Sequence, residues 1–213
     1  MINYQKDFFE EDNDEYDYLT QLPPKSGKLI FIDTETTGLN YKYDDHIVNI
    51  GASLSNKGIL SQNQFEMYIR PRKIIEDRVV KIHGITQSFF DDYYQESRID
   101  EFKGLSNFLD FVDDSIIFCH NAPFHKEFLN KELNLMKLPI IPDIRFRCSL
   151  RISRNVIRKA DPSYNLHYLS LENCCDFFNI KYDQNELHNA LNDSILVFKL
   201  AIKLYEKIEE NRI

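Results

Sequence analysis

Leu29-Ile30-Phe31-Ile32-Asp33-Thr34-Glu35-Thr36-Thr37-Gly38 runs four apolar residues straight into two carboxylates two positions apart. An apolar run of this length bounded by a turn residue predicts a buried strand over Leu29–Ile32. Residues i and i+2 of extended backbone share a face, so Asp33 and Glu35 point the same way. Two carboxylates held together repel unless a cation lies between them, and hard oxygen ligands suit Mg²⁺ or Mn²⁺. A polar strand end with capping threonines is the blander reading of the same residues.

Working outward, Ile47–Leu54 and Phe65–Ile69 are further strands, separated by the turn residues Asn56-Lys57-Gly58. A helical region follows from about Ile74 to Phe90, interrupted near Gly84, and another covers about Ile99–Val112. Ser115–Cys119 is a short apolar strand. Pro123 opens a helix with Phe124, Phe128, Leu129 and Leu133 on one stripe. Helical patterns recur at about 146–159, 167–178 and 189–209. Strands first, then helices alternating with strands, predict an α/β domain with a mixed sheet.

Composition sets the outer bounds. The chain has 213 residues, 43% hydrophobic and 28% charged, enough for one domain with a real core. No apolar run approaches the roughly 18 residues of a membrane span, and the acidic N-terminus does not read as a signal peptide. The expectation is a cytoplasmic protein with no membrane partner. Cys119, Cys148, Cys174 and Cys175 form no CxxC pair and are expected as reduced thiols in or near the core. The net charge is −8, yet residues 1–27 hold seven acids against two bases and so account for −5 of it. That segment is expected to be an acidic, disordered extension, with Tyr16, Tyr18, Leu19 and Leu22 placed to dock on the domain that follows. Residues 144–160 carry Arg145, Arg147, Arg151, Arg154, Arg158 and Lys159 without an acid. This run reads either as a track for phosphates or as a solvated helix face.

Two further segments carry chemistry. His120-Asn121-Ala122-Pro123-Phe124-His125-Lys126-Glu127-Phe128-Leu129 joins a strand to a helix, a junction that often builds sites. His188-Asn189-Ala190-Leu191-Asn192-Asp193 enters the last helix. His188 and Asp193 diverge by about 140° in one continuous helix, and converge only if His188 lies on the preceding loop. From there the imidazole can accept a proton from an attacking water.

In chain order, DTETTGL (Asp33–Leu39), HGIT (His83–Thr86), HNAPF (His120–Phe124) and HNALND (His188–Asp193) resemble the DnaQ-like (DEDDh) 3′→5′ exonuclease superfamily, and within it the exonuclease domain of DNA polymerase III epsilon subunits. The resemblance covers nearly all of an exonuclease domain placed at 28–209. It implies a ribonuclease H-like fold, a mixed five-stranded sheet flanked by helices, and hydrolysis of terminal phosphodiesters of single-stranded DNA to 5′-monophosphates with two Mg²⁺ or Mn²⁺ ions. Asp33 matches the carboxylate that bridges both metals, Glu35 and Asp193 match further ligands, and His188 matches the general base. Thr36, Thr37, Gly38, Leu39, His83, Asn121 and Phe124 lie in or beside these motifs and are candidates to contact the terminal nucleotide, with packing or capping the blander reading of Leu39, His83 and Phe124. HGIT leans toward the DNA-proofreading group. DNA is therefore favoured over RNA as partner, with an exoribonuclease as an alternative. A DNA polymerase partner rests on the resemblance alone, because only about 20 residues follow Asp193, where epsilon subunits carry a polymerase-binding tail.

One position departs from the pattern. The family reads F-D-x-x-F-L where this chain reads Phe124-His125-Lys126-Glu127-Phe128-Leu129. Glu127 lies about 200° around the helix from His125 and is expected to face away. A neutral imidazole can coordinate a divalent ion, with a preference for Mn²⁺ or Zn²⁺ over Mg²⁺, but brings no negative charge. Three expectations follow from His125: weakened binding of a second ion, a preference for Mn²⁺, or a silenced exonuclease that serves as a nucleic-acid or protein binding module.

Overall fold

The protein is described by a computed structural model over residues 27–97, 100–167 and 169–210. Apart from Gly27, the acidic extension expected at residues 1–27 lies outside the described residues. The sheet is built on β1 (Lys28–Thr36), which is buried along almost its whole length. β1 pairs antiparallel with β2 (Ile47–Asn56) and parallel with β4 (Ile116–Cys119). β3 (Ile59–Tyr68) lies antiparallel on the outer side of β2, and β5 (Phe146–Cys148) lies parallel on the outer side of β4. The order is β3-β2-β1-β4-β5, the expected mixed five-stranded sheet.

Two strands depart from the sequence pattern. β3 starts six residues before the expected Phe65, across Ser61-Gln62-Asn63-Gln64. These side chains show no apolar alternation because β3 is a half-exposed edge strand. Its register comes from the two-residue hairpin at Lys57 and Gly58, with φ of 52° and 77°, a conformation matched to the twist of antiparallel strands. β5 takes the first three residues of the expected 146–159 helix. Three residues are too few for a period to emerge, and pairing with Ile117–Cys119 holds them extended.

Helices cover both faces. α1 (Asp77–His83) ends at Gly84 in left-handed backbone, where the sequence predicts an interruption, and α2 (Phe89–Ser97) follows. α3 (Glu101–Val112) is capped by Asp100, which accepts from the Lys103 N–H at 2.7 Å. α4 (Ala122–Leu135) carries Pro123 in its first turn. α5 (Ser149–Ala160), α6 (Leu171–Phe177) and α7 (Ala190–Glu210) complete the set. α6 is shorter than the expected 167–178 because Ser170 and Asn173 form a reciprocal capping box that fixes its start.

The alternation of β1 sorts its side chains. Ile30 and Ile32 pack with Leu105 and Phe108 of α3 and with Phe128, Leu129 and Leu133 of α4. Leu29 and Phe31 pack with Ile152 and Val156 of α5 and with Val197, Leu200 and Leu204 of α7. Continuing the same alternation, Thr34 falls on the α4 side of the sheet and Asp33 and Glu35 on the α7 side. All four cysteines are buried free thiols. No helix among the described residues is long and apolar enough to cross a membrane.

Candidate active site

The docking of α7 brings the third carboxylate to the first two. Gly51 of β2 stands opposite Asp33 in the register. A Cβ at Gly51 would fall on the backbone of Ala190 and Leu191, so only glycine lets the start of α7 lie directly on the sheet. Asn49, two residues earlier in β2, accepts from the Ala190 N–H at 3.3 Å and donates to the Met67 carbonyl at 3.1 Å. Neither Gly51 nor Asn49 stands out in the sequence, because their role is to receive a helix some 140 residues away.

His188 lies on the loop before α7 with φ of 59°, and its own N–H donates to Asp193 Oδ2 at 3.0 Å. This bend provides the convergence that one continuous helix forbids. Ligating atoms of Glu35, His188 and Asp193 all lie within 4.8 Å of one another. With Asp33, they line a pocket of about 200 Å³ whose other walls are His120, Ser170, Leu171, Glu172 and Leu187. Glu35 and Asp193 are buried, while the His188 side chain is 45% exposed at the rim.

Burial raises Asp33, Glu35 and Asp193. Asp33 lies well above the usual range, first through burial and then through Glu35 and Asp193. Burial and then Asp193 push Glu35 up to about 8, and burial pushes Asp193 to about 6. Asp193 Oδ1 is buried without a hydrogen-bond partner. An orphaned carboxylate oxygen beside two more carboxylates, with no lysine or arginine in the pocket wall, fits a hard divalent cation. Asp33, Glu35 and Asp193 are the residues that would hold it.

His125 is 5% exposed in the first turn of α4 and sits outside that pocket wall. Its Nε2 lies 2.7 Å from the His120 carbonyl oxygen and its Nδ1 lies 2.9 Å from Thr34 Oγ1. A carbonyl only accepts, so Nε2 carries the proton, and in the neutral ring Nδ1 accepts from the Thr34 hydroxyl. Burial lowers this imidazole to about 4, which keeps it neutral near pH 7. Nε2 is also 3.5 Å from Asp33 Oδ1. Glu127 is turned toward Lys126, 3.2 Å away.

The other candidates are not among the residues that line this pocket. Thr36 Oγ1 donates to the Gly38 carbonyl at 2.6 Å, and Thr37 Oγ1 donates to Asp45 Oδ1 at 3.2 Å. Asp45 also accepts from the Asn40 N–H and from Lys73, which ties down the loop after β1 and leaves Leu39 74% exposed. His83 ends α1 with its imidazole lowered by burial and by nearby His188. Asn121 has a left-handed φ of 67° and makes no side-chain cap bond. Phe124 packs on Phe128 with ring centroids 4.8 Å apart. Two ionisable pocket residues, His120 and Glu172, escaped the sequence reading. His120 bonds Ser149 Oγ at 3.1 Å, and Glu172 Oε1 lies 3.6 Å from His188 Nε2. HNAPF drew attention to its helix end and hid His120, and Glu172 carries no motif signal.

A central strand that delivers two carboxylates to a helix bearing a third, on a sheet of order β3-β2-β1-β4-β5, gives a ribonuclease H-like architecture with an acidic pocket at the end of β1. Residues 30–201 match the exonuclease (RNase_T) family model. The chain is 34% identical over 179 residues to the DNA polymerase III subunit epsilon of Rickettsia prowazekii, covering 82% of this chain and 72% of the relative. It is 33% identical over 180 residues to the same subunit of Buchnera aphidicola from Acyrthosiphon pisum, covering 82% and 71%. In fold it resembles the nuclease domain of 3′hExo, a DEDDh family member bound to rAMP, with a TM-score of 0.65 at 20% identity over 85% of this chain and 92% of that one. It also resembles exonuclease X in complex with 5′ overhanging duplex DNA, with a TM-score of 0.57 at 21% identity over 87% and 93%. The chain belongs to the DnaQ-like DEDDh exonuclease family.

Proposed function

We propose that the protein removes nucleotides one at a time from the 3′ end of single-stranded or frayed DNA, releasing nucleoside 5′-monophosphates. The observation that carries this reading is the convergence of Asp33, Glu35, Asp193 and His188 in one pocket with Asp193 Oδ1 unpartnered. A bound divalent cation, Mg²⁺ or Mn²⁺, would supply Lewis acidity at the phosphoryl oxygens. Asp33, Glu35 and Asp193, ionised with the cation bound, would balance its charge. His188, at the rim, accepts a proton from the attacking water through its imidazole. Water oxygen bonds to phosphorus, the bond from phosphorus to the 3′ oxygen of the preceding nucleotide breaks, and that oxygen takes up a proton from solvent and leaves as a 3′ hydroxyl. Glu172, beside His188 Nε2, orients the imidazole.

DNA as substrate is supported by the name of the epsilon relatives, DNA polymerase III subunit epsilon, and that name also supports a polymerase partner and a cytoplasmic setting. The 3′→5′ polarity is supported by the family resemblance. The test is degradation of 5′-labelled single-stranded DNA, beside the matching RNA, in Mg²⁺ and separately in Mn²⁺. Wild type should give a ladder that shortens from the 3′ end, absent in Asp33→Ala. A ladder on RNA but not on DNA would make the protein an exoribonuclease instead. His125 favours a second reading, a silenced exonuclease acting as a binding module. No wild-type ladder in either metal, with one restored by His125→Asp, would establish that reading.

A further inference from the structure

We propose that His125 is a positioning bridge and not a metal ligand, so that the pocket takes a single divalent cation, on Asp33, Glu35 and Asp193. The inference rests on reading the pocket as a cation site, and it concerns how many cations that site can hold.

His125 reaches the edge of the pocket from the α4 side, with Nε2 3.5 Å from Asp33 Oδ1. Glu35 and Asp193 meet on the α7 side of β1, whereas His125 descends from α4 and bonds Thr34, which faces the α4 side. Both ring nitrogens are occupied within the protein, by the His120 carbonyl and the Thr34 hydroxyl. To ligate a cation through Nε2, the ring would have to move its proton to Nδ1. The buried His120 carbonyl oxygen would then face a lone pair and lose its donor. Ligation through Nδ1 would break the Thr34 bond and requires the ring to turn over within a buried niche, edge-on to Phe124 at 5.2 Å. Each route strands a buried polar group, a change that costs more than an ordinary hydrogen bond contributes.

Charge points the same way. A second dication near the first needs further anionic oxygen. Of the nearby carboxylates, Glu172 accepts from Ser170 Oγ at 2.8 Å and faces His188, and Glu127 is paired with Lys126. An imidazole adds no charge where a carboxylate would. What His125 does supply is direction. Its Nε2–H lies close to Asp33 Oδ1 as well as the His120 carbonyl, which fixes the strand end and the Asp33 side chain together.

The experiment is a count of bound Mn²⁺ on the full chain, from the free-ion electron paramagnetic resonance signal. Wild type and His125→Gln, which keeps an amide donor and adds no charge, should each saturate at one ion per chain. His125→Asp should saturate at two. Two ions on wild type, or one ion on a folded His125→Asp, would overturn the proposal. Nitrogen-15 NMR of the wild-type imidazoles covers the case in which His125→Asp does not fold. The His125 Nε2 should keep its proton when Mg²⁺ or Zn²⁺ is added, and loss of that proton on metal addition would also overturn the proposal. Absence of any bound ion would remove the underlying reading as well. One bound ion without DNA hydrolysis would remove the enzyme reading and leave the single-cation inference standing.

Discussion

Glu35 is held in the fold against its own chemistry. Burial and Asp193 push it up to about 8, so at pH 8 the folded protein keeps a carboxylate partly protonated that water would ionise fully. Glu35→Gln removes the repulsion and keeps the shape. At pH 8 in a chelator, this variant should melt a few degrees above wild type, since about 1 kcal/mol moves the midpoint of a chain this size by roughly 2–4 °C. The same variant should lose about 10²–10³-fold in hydrolysis, a loss typical when one electrostatic contributor leaves a catalytic site. A melt that is unchanged or lower would mean the carboxylates are not in conflict. Asp33 and Glu35 were legible in the sequence because the alternation of a strand is a local rule. The partners of His125 were not, since Thr34 is 91 positions away and no local rule connects the two.

At the scale of elements, the site depends on the seat that β2 offers α7. Gly51→Val should drive α7 off the sheet, because the added side chain meets backbone and not a movable side chain. The expected cost is at least about 1–3 kcal/mol, the range for overpacking a tight interior. Calorimetry reads that cost, and Mn²⁺ affinity reads whether Asp193 has left its partners. A variant with wild-type stability and wild-type affinity would refute the seating argument. The basic run divides in a similar way between scaffold and surface. Arg145 donates to the carbonyls of Ser115 and Val112 at 3.0 and 3.1 Å, at the C-terminal end of α3, where a cation is favoured. Arg147 is buried and donates to the carbonyls of Ile144 and Phe146. Arg145→Ala should therefore lower stability by about 1–3 kcal/mol in a urea melt, with single-stranded DNA affinity by anisotropy changed less than about twofold. A tenfold loss of affinity at unchanged stability would return Arg145 to the phosphate track. The sequence placed this run correctly as basic, but could not see that its first two arginines serve the short strand β5. A three-residue strand leaves no period to read, and the sequence pattern continues a helix through it.

For the molecule as a whole, the carboxylate pocket sets a pH dependence opposite to that of ordinary acidic residues. Asp45 is of the ordinary kind. Despite some burial, hydrogen bonds from Lys73 and the Asn40 N–H and the Lys73 charge hold its carboxyl below the usual range, so its contribution is lost as pH falls. Asp193 at about 6 and Glu35 at about 8 are raised on folding. Such groups bind protons more tightly in the folded chain than in the unfolded one. Their contribution is complete below the unfolded values, near 4, and is lost as pH rises through 6 and then 8. In a chelator, the melting temperature should therefore fall between about pH 5 and pH 8. A divalent cation binds the ionised carboxylates alone, so its stabilisation should grow over the same window. At ten times its dissociation constant, Mg²⁺ adds about 1.4 kcal/mol, or roughly 3–5 °C at this chain length. Calorimetry with and without Mg²⁺ at about pH 5.5 and pH 8 separates the terms. The Mg²⁺ shift should be large at pH 8 and small at pH 5.5, and Asp193→Asn should flatten both the chelator slope and the Mg²⁺ gain. Equal Mg²⁺ shifts at the two pH values would place the bound cation elsewhere on this acidic surface, since exposed acids are ionised at both.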